Sequence, residues 1–276
     1  MSDSKPLILS ASRRTDLPGF HAEACRDRIL GKIARLRTRH LHGVVFWTRH
    51  ARPFLQGGPL HELVRHTLDN PVVNLTITGL GGSALEPGVP KTRDMIKDLP
   101  ALVAAFHDQP FRLRWRFDPL LKGHSSLKRF TEIARVASNL GIETCTFSFP
   151  AYFSLKGDLT PAFEAAGIPS WTEPEKRDFL SAMVDIAAPL GLRLLSCTQP
   201  DNLALHPAIE AAQCIPQDIL ERGDPAHRPL TLPKDVSQRS KCLCIQSEDI
   251  GDYETDRCRG GCVYCYSKAG GPGAGR

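Results

Sequence analysis

Cys258, Cys262 and Cys265 stand in the stretch "CRGGCVYCYS", spaced CxxxCxxC, with Tyr264 directly before the last of them. Three thiolates on a short, glycine-containing loop can bind three irons of a four-iron, four-sulfur (4Fe-4S) cluster and leave the fourth open to an outside ligand. Upstream, "CLC" contributes Cys242 and Cys244, so five of the nine cysteines fall between residues 242 and 265. With Cys214 and one further group, this pair would hold an auxiliary iron-sulfur cluster or supply two ligands of a zinc site. Zinc is also the alternative for the tail as a whole, because five thiols so close together can build a four-thiolate knuckle. Structural zinc sites favour paired CxxC elements, however, and CxxxCxxC leaves a set of three. Cys25, Cys145 and Cys197 are scattered and read as small buried hydrophobes.

Composition sets the background for this chemistry. The chain has 276 residues, 41% of them apolar and 24% charged, as in ordinary globular domains. No apolar run approaches the ~18 residues of a membrane span, and "MSDSKPLILSASRR" lacks the apolar core of a signal peptide. The expectation is a cytoplasmic protein that does not engage membranes, and in a reducing compartment clustered cysteines point to metal rather than disulfides. A formal charge of +5 is compatible with an anionic ligand and does not require nucleic acid.

Six short apolar stretches alternate with helical patterns: "PLILSAS" before 20–36, "GVVFWT" before 60–68, "VVNLTIT" before 92–107, "FRLRWRF" before 126–140, "IETCTFSF" before 174–190, and "LRLLSCT" before a shorter helix near 206–212. Such alternation predicts a parallel sheet with right-handed crossovers. Side chains alternate across a strand, so Asn74, Thr76 and Thr78 oppose Val73, Leu75 and Ile77. Likewise Arg112, Arg114, Arg116 and Asp118 oppose Leu113, Trp115 and Phe117, and Thr144, Thr146 and Ser148 oppose Cys145, Phe147 and Phe149. A doubly wound sheet would be apolar on both faces. A consistently polar face instead suits a partial (βα)6 TIM-like barrel of α/β class whose lumen is wet and holds a ligand; a sheet with one solvent-exposed face is the alternative. Residues 1–235 form this partial barrel, 236–270 a cysteine-rich cluster-binding tail that folds back over its mouth, and the glycine-rich 271–276 a mobile end.

Chemistry in α/β enzymes sits at the carboxyl ends of the strands. There the sequence places "SRRTD" with Arg14 and Asp16, "FWTRH" with Arg49 and His50, "TGLGG" with Thr78 and Gly79, "RFDP" with Arg116 and Asp118, and Ser148 in "SFP". Arg14, Asp16, Thr78, Gly79, Arg114, Arg116, Asp118 and Ser148 are the candidate cofactor- and substrate-binding residues. The arginines would take anionic groups and the aspartates would orient them or accept hydroxyl hydrogens; the bland reading of the first loop is an ion pair that caps the next helix.

The CxxxCxxC motif with its aromatic residue resembles that of radical S-adenosylmethionine enzymes. The resemblance implies an open iron that chelates the amino and carboxylate groups of S-adenosylmethionine, reduction by a donor such as flavodoxin or ferredoxin, and a 5'-deoxyadenosyl radical; it also implies a six-unit partial barrel. More specifically, "SASRRTDLP", "VVFWTRH", "LTITGLG", "WRFDPLL" and "CLCIQSEDIGDYETDRCRGGCVYCYS", in this order, resemble the uncharacterised family called domain of unknown function 1848. The cysteine motif of radical enzymes ordinarily follows the first strand, whereas here it follows the sixth unit. Their glycine-glycine-glutamate motif after strand 2 is not found, and "GLGGSALE" after strand 3 stands in its place. A radical enzyme acting on a small anionic substrate is the leading expectation. A lesion-repair enzyme on nucleic acid is suggested by "RLRWRF" and "RLRTRH", and a zinc-stabilised, non-catalytic interaction protein is the third class.

Overall fold

The computed structural model describes residues 4–154, 157–252 and 254–265. In chain order its strands are β1 (Lys5–Ala11), β2 (Arg39–Thr48), β3 (Pro71–Thr76), β4 (Leu113–Arg116), β5 (Thr144–Phe147), β6 (Phe153–Ser154), β7 (Gly157–Asp158), β8 (Arg193–Ser196), β9 (Ile209–Ala211) and β10 (Glu248–Asp249). The helices are α1 (Leu17–Phe20), α2 (Ala22–Ala34), α3 (Thr92–Ala105), α4 (Leu127–Asn139), α5 (Thr160–Ala165), α6 (Glu173–Ala187) and α7 (Gln217–Gly223). Eight strands form one parallel sheet in the order β10-β1-β2-β3-β4-β5-β8-β9, while β6 and β7 pair as a separate antiparallel ribbon. The six expected strands are therefore neighbours in sequence order, as repeated βα units wound in one direction require.

Three local signals make the helices that flank the site region. The Ser126 side chain accepts from the Arg129 amide to start α4, Thr172 and Glu175 form a reciprocal capping box at α6, and Asp16 caps the short α1 through the Gly19 amide. The apolar parity predicted for the strands is observed. Leu9, Phe46, Val73, Leu75, Trp115 and Phe147 face α2, α3, α4 and α6, where Ile29, Leu102, Phe130 and Leu180 meet them in the main core. Trp115 stacks on Phe130 with ring centroids 5.2 Å apart.

The opposite face departs from the sequence reading. Asn74, Thr78, Arg112, Arg114 and Thr146 do lie on it, but all are buried. A second apolar cluster covers its lower part: Ile8, Val45 and Val72 from the strands meet Ile215, Ile219, Leu220, Leu230 and Ile245 from α7 and the chain around it. The wet, open lumen expected there is thus filled over these strands. The reason is physical: a row of arginines cannot stay buried without acceptors, and carbonyls of the covering segment supply them. Arg114 donates to the Gln213 carbonyl, Arg112 to the Gly223 carbonyl at 2.9 Å, and the Asn74 amide to the Cys214 carbonyl at 3.0 Å. Three elements also differ. The short helix expected near 206–212 is strand β9, and an eighth strand, β10, pairs in parallel with β1 through Leu9–Glu248 and Ser10–Asp249. The 60–68 helix is reduced to a single wide turn over Leu63–Thr67. The glycine-rich end at 271–276 lies outside the described residues. Among the described residues, no helix is long and apolar enough to cross a membrane.

Candidate functional site

At the carboxyl ends of β1, β2 and β3 the returning tail meets the loops that follow those strands. Thr15 donates to the Asp256 carbonyl at 2.7 Å, and Arg28 of α2 forms an ion pair with the buried Asp256. Further along, the Gly88 amide donates to the Gly260 carbonyl at 2.9 Å and the Val263 amide to the Leu85 carbonyl at 3.1 Å. Gly88 allows this approach. A Cβ there would lie 2.5 Å from the Arg259 oxygen and 3.0 Å from the Gly260 Cα, too close for any side chain.

This docking positions the cysteine motif. A Cβ on Gly260 would lie 3.4 Å from Cys258 Sγ and 3.6 Å from Cys262 Sγ, so both sulfurs border the space that the missing side chain leaves. Phe20 closes the same space at 3.9 Å. Burial raises the Cys258 thiol, against backbone N–H groups of Gly260 and Asp16 that lower it. Burial pushes Cys262 up to about 11, against the charge of Arg49; Cys258 and Cys265 each raise it further. The three sulfurs therefore feel one another electrostatically.

Beside them lies a polar cluster with Glu86 at its centre. Glu86 is fully buried, and its Oε1 accepts from Arg49 Nη1 at 2.8 Å, from Thr78 Oγ1 at 2.7 Å and from the Tyr264 hydroxyl. The other carboxylate oxygen, Oε2, is buried with no hydrogen-bond partner among the described residues. Burial holds the Tyr264 phenol well above its usual range, so it is a neutral donor. Arg49 lies over the Tyr264 ring at 5.6 Å and also donates to the Asp118 carbonyl at 3.2 Å. It links the tail to the end of β4.

The expected site residues do not form a single cluster. Thr78 belongs to the Glu86 cluster. Asp118 joins Arg116 in an ion pair and accepts from Ser148, so these three stand together at the ends of β4 and β5. Asp16 is an organising residue: it accepts from Thr48 Oγ1 at 2.7 Å, from the amides of Arg49 and Gly19 at 2.8 Å each, and pairs with His50 Nδ1 at 2.9 Å. Arg14 is exposed on the loop after β1. Gly79 adopts φ +81° and serves the turn, where a Cβ would meet the Arg129 side chain at 3.0 Å. Arg114 and Arg116 are internal braces rather than free anion receptors, with Arg116 donating to Cys214 Sγ at 3.1 Å. Burial also lowers Arg114 and brings Arg112 down to about 10.

Sequence reasoning passed over Glu86 and Tyr264 as side chains of the site, although each lies in a quoted stretch, "GLGGSALE" and "CVYC". It also set Cys197 apart, whereas its sulfur lies 3.5 Å from that of Cys214. Cys214, Cys242 and Cys244 share one buried cluster, in which the Cys214 amide donates to Cys244 Sγ at 3.2 Å. Cys25 and Cys145 are buried with their thiols raised by desolvation, as inert core residues are. Among the described residues, no three or more His, Cys, Asp or Glu side chains are already gathered about one point as metal ligands.

Residues 8–267 match the family model described as Domain of unknown function (DUF1848). The chain belongs to this family. That description assigns no activity. No curated protein matches the chain. Among solved structures, the carboxyl transferase domain of Rhizobium etli pyruvate carboxylase is similar at 12% identity and a TM-score of 0.29, covering 84% of this chain and 45% of that one. An archaeal fructose-1,6-bisphosphate aldolase is similar at 14% identity and a TM-score of 0.28, covering 80% and 91%. This DUF1848 chain spans less than half the length of the carboxyl transferase chain, and neither likeness bears on its activity.

Proposed function

We propose that this DUF1848 protein is a radical S-adenosylmethionine enzyme built on a partial (βα)6 barrel. In this reading Cys258, Cys262 and Cys265 hold a 4Fe-4S cluster at the carboxyl ends of the strands. The observation that carries the reading is the return of the tail: through Gly88–Gly260, Leu85–Val263 and Glu86–Tyr264 it lays the CxxxCxxC loop against the loop after β3. The consecutive order of parallel strands, with α2, α3, α4 and α6 on one face, supports the barrel.

The residues present suit such a group. Two of the three sulfurs lie about one glycine, Gly260, whose lack of a side chain leaves them unobstructed, and N–H groups pointing at Cys258 would stabilise a metal-bound thiolate. When bound and reduced by an external one-electron donor such as flavodoxin or ferredoxin, the cluster supplies the electron that cleaves S-adenosylmethionine to a carbon radical. The protein's own residues do the rest. Glu86 Oε2, a buried acceptor with no partner among the described residues, would accept a hydrogen bond from the amino group of S-adenosylmethionine. Arg49 holds Glu86 in place through their ion pair. Asp16 fixes the Thr48–His50 corner, so the wall of the site is set before the ligand arrives. Tyr264 and Phe20 flank the sulfurs with apolar surface that excludes water, which a carbon radical requires. Arg116, Asp118 and Ser148 form the remaining polar rim toward a small substrate, and a cytoplasmic location follows from the cluster's need for reducing surroundings.

The test is anaerobic reconstitution with iron and sulfide, reduction with dithionite, and addition of S-adenosylmethionine. The wild-type chain should form 5'-deoxyadenosine and the variant with Cys258, Cys262 and Cys265 all changed to alanine should not. Equal amounts from both, or none from a wild-type chain that has taken up iron and sulfide, would overturn the proposal.

A further inference from the structure

Away from the CxxxCxxC loop, the fold collects the sulfurs of Cys197, Cys214, Cys242 and Cys244. Cys197 follows β8, Cys214 follows β9, and the CLC pair comes from the segment that covers the polar face of the sheet. Cys197 and Cys214 Sγ atoms are 3.5 Å apart, and Cys214, Cys242 and Cys244 lie together in one buried cluster against which Cys197 packs. Donors from two sequence-distant segments point at these sulfurs. The amides of Cys214 and Ile215 both point at Cys244 Sγ, at 3.2 and 3.4 Å. Arg116 Nη1 donates to Cys214 Sγ at 3.1 Å, and Arg114 donates to the neighbouring Gln213 carbonyl. Neutral thiols are poor acceptors and do not need this many donors, whereas metal-bound thiolates do.

We propose that Cys197, Cys214, Cys242 and Cys244 are the ligands of a closed four-thiolate metal centre, distinct from the Cys258–Cys265 site and independent of its function. Charge and distance both agree with it. Four thiolates around a divalent ion carry a net charge of −2, and the guanidiniums of Arg114 and Arg116, the latter shared with Asp118, lie on the same face to offset part of it. Zinc–sulfur bonds of ~2.3 Å place tetrahedral sulfurs about 3.8 Å apart, close to the observed Cys197–Cys214 contact. Loading turns the thiols about their Cα–Cβ bonds toward a common point and releases their protons. With all four positions filled by protein, the centre has no open site for chemistry. It rivets the 212–245 segment to β8 and β9, and so fixes the starting point of the tail. Tetrathiolate chemistry is shared by a zinc ion and an iron-sulfur cluster, and the contact distance favours zinc.

The test uses the full chain in the Cys258, Cys262 and Cys265 alanine background, so that metal at the first site cannot contribute. It is loaded with zinc in one arm and with iron and sulfide under argon in the other. Metal content is measured by mass spectrometry of the elements, and thiol protection by alkylation and peptide mapping. The expected result is about one zinc per chain, protecting Cys197, Cys214, Cys242 and Cys244 together while Cys25 and Cys145 label equally with and without metal. Cys197→Ser should lose the metal while circular dichroism shows it folded; if that variant does not fold, the protection pattern of the unsubstituted four decides. Iron and sulfide bound with the same four protected would uphold the ligand set and replace the ion. Metal in neither arm, or metal bound while Cys197 stays as reactive as in the metal-free chain, would overturn the proposal.

Discussion

Removing the carboxylate of Glu86 tests the cluster that joins the tail to the sheet. Its Oε1 takes the Arg49 guanidinium, the Thr78 hydroxyl and the Tyr264 phenol, and the residue is fully buried. In Glu86→Ala the Arg49 charge is left without its carboxylate, a loss of about 3–5 kcal/mol for a buried pair. Arg49 keeps a second acceptor in the Asp118 carbonyl and a side chain 19% exposed, which places the expected value near the lower end, about 3 kcal/mol. Glu86→Gln keeps an acceptor oxygen and the volume but not the charge, and should cost about 1–2 kcal/mol. Urea unfolding of the metal-free chain, followed by circular dichroism, gives both values. Limited proteolysis should cut the alanine variant faster within residues 256–265 than elsewhere. An alanine variant within about 0.5 kcal/mol of wild type, the usual range of surface substitutions, would refute the reasoning.

Gly88→Ala should cost about 1–3 kcal/mol and reduce iron retention after reconstitution, because its Cβ strikes the backbone at Arg259 and Gly260; unchanged stability and iron content would show that the loop yields freely. Arg116→Ala should destabilise by about 3 kcal/mol, since it strips Asp118 of its cation, and Arg116→Lys should not restore wild-type stability because one ammonium cannot reach Asp118 and Cys214 Sγ together; denaturant titration reads both. Hydrogen bonding from Arg228 holds Asp224 at about 2, below its usual value, so its contribution is present above the unfolded value of about 3.9 and is lost as pH falls toward 2. Arg228 is 39% exposed, which limits the effect to about 1 kcal/mol, and Asp224→Asn should flatten the urea midpoint over that acid range.

Much of the sheet was legible because parity and alternation are local. The placement of Val73, Leu75 and Trp115 on one face and Asn74, Thr78 and Arg114 on the other follows from a period of two alone. What covers the second face was not legible. The 212–245 segment has little helical or strand periodicity, and its partners lie about a hundred residues away, as Arg114 does from Gln213. Strand β9 reads as helix because "PAIEAA" is rich in alanine and glutamate, and its pairing with β8 overrides that propensity. The spacing of Cys258, Cys262 and Cys265 is visible because it lies within one loop. Cys197 is not, since only the folded sheet brings the ends of β8 and β9 together. Glu86 was hidden for a related reason: a single carboxylate in a glycine-rich turn carries no pattern until Arg49 and Tyr264 converge on it.

The central claim is that three sulfurs leave one iron free to bind S-adenosylmethionine, and electron paramagnetic resonance addresses it most directly. The reconstituted chain is reduced with dithionite and its spectrum recorded before and after S-adenosylmethionine is added. The account predicts a reduced-cluster signal that changes on addition and is missing when Cys258, Cys262 and Cys265 are alanine. A signal that depends on those three cysteines but does not respond to S-adenosylmethionine would contradict it.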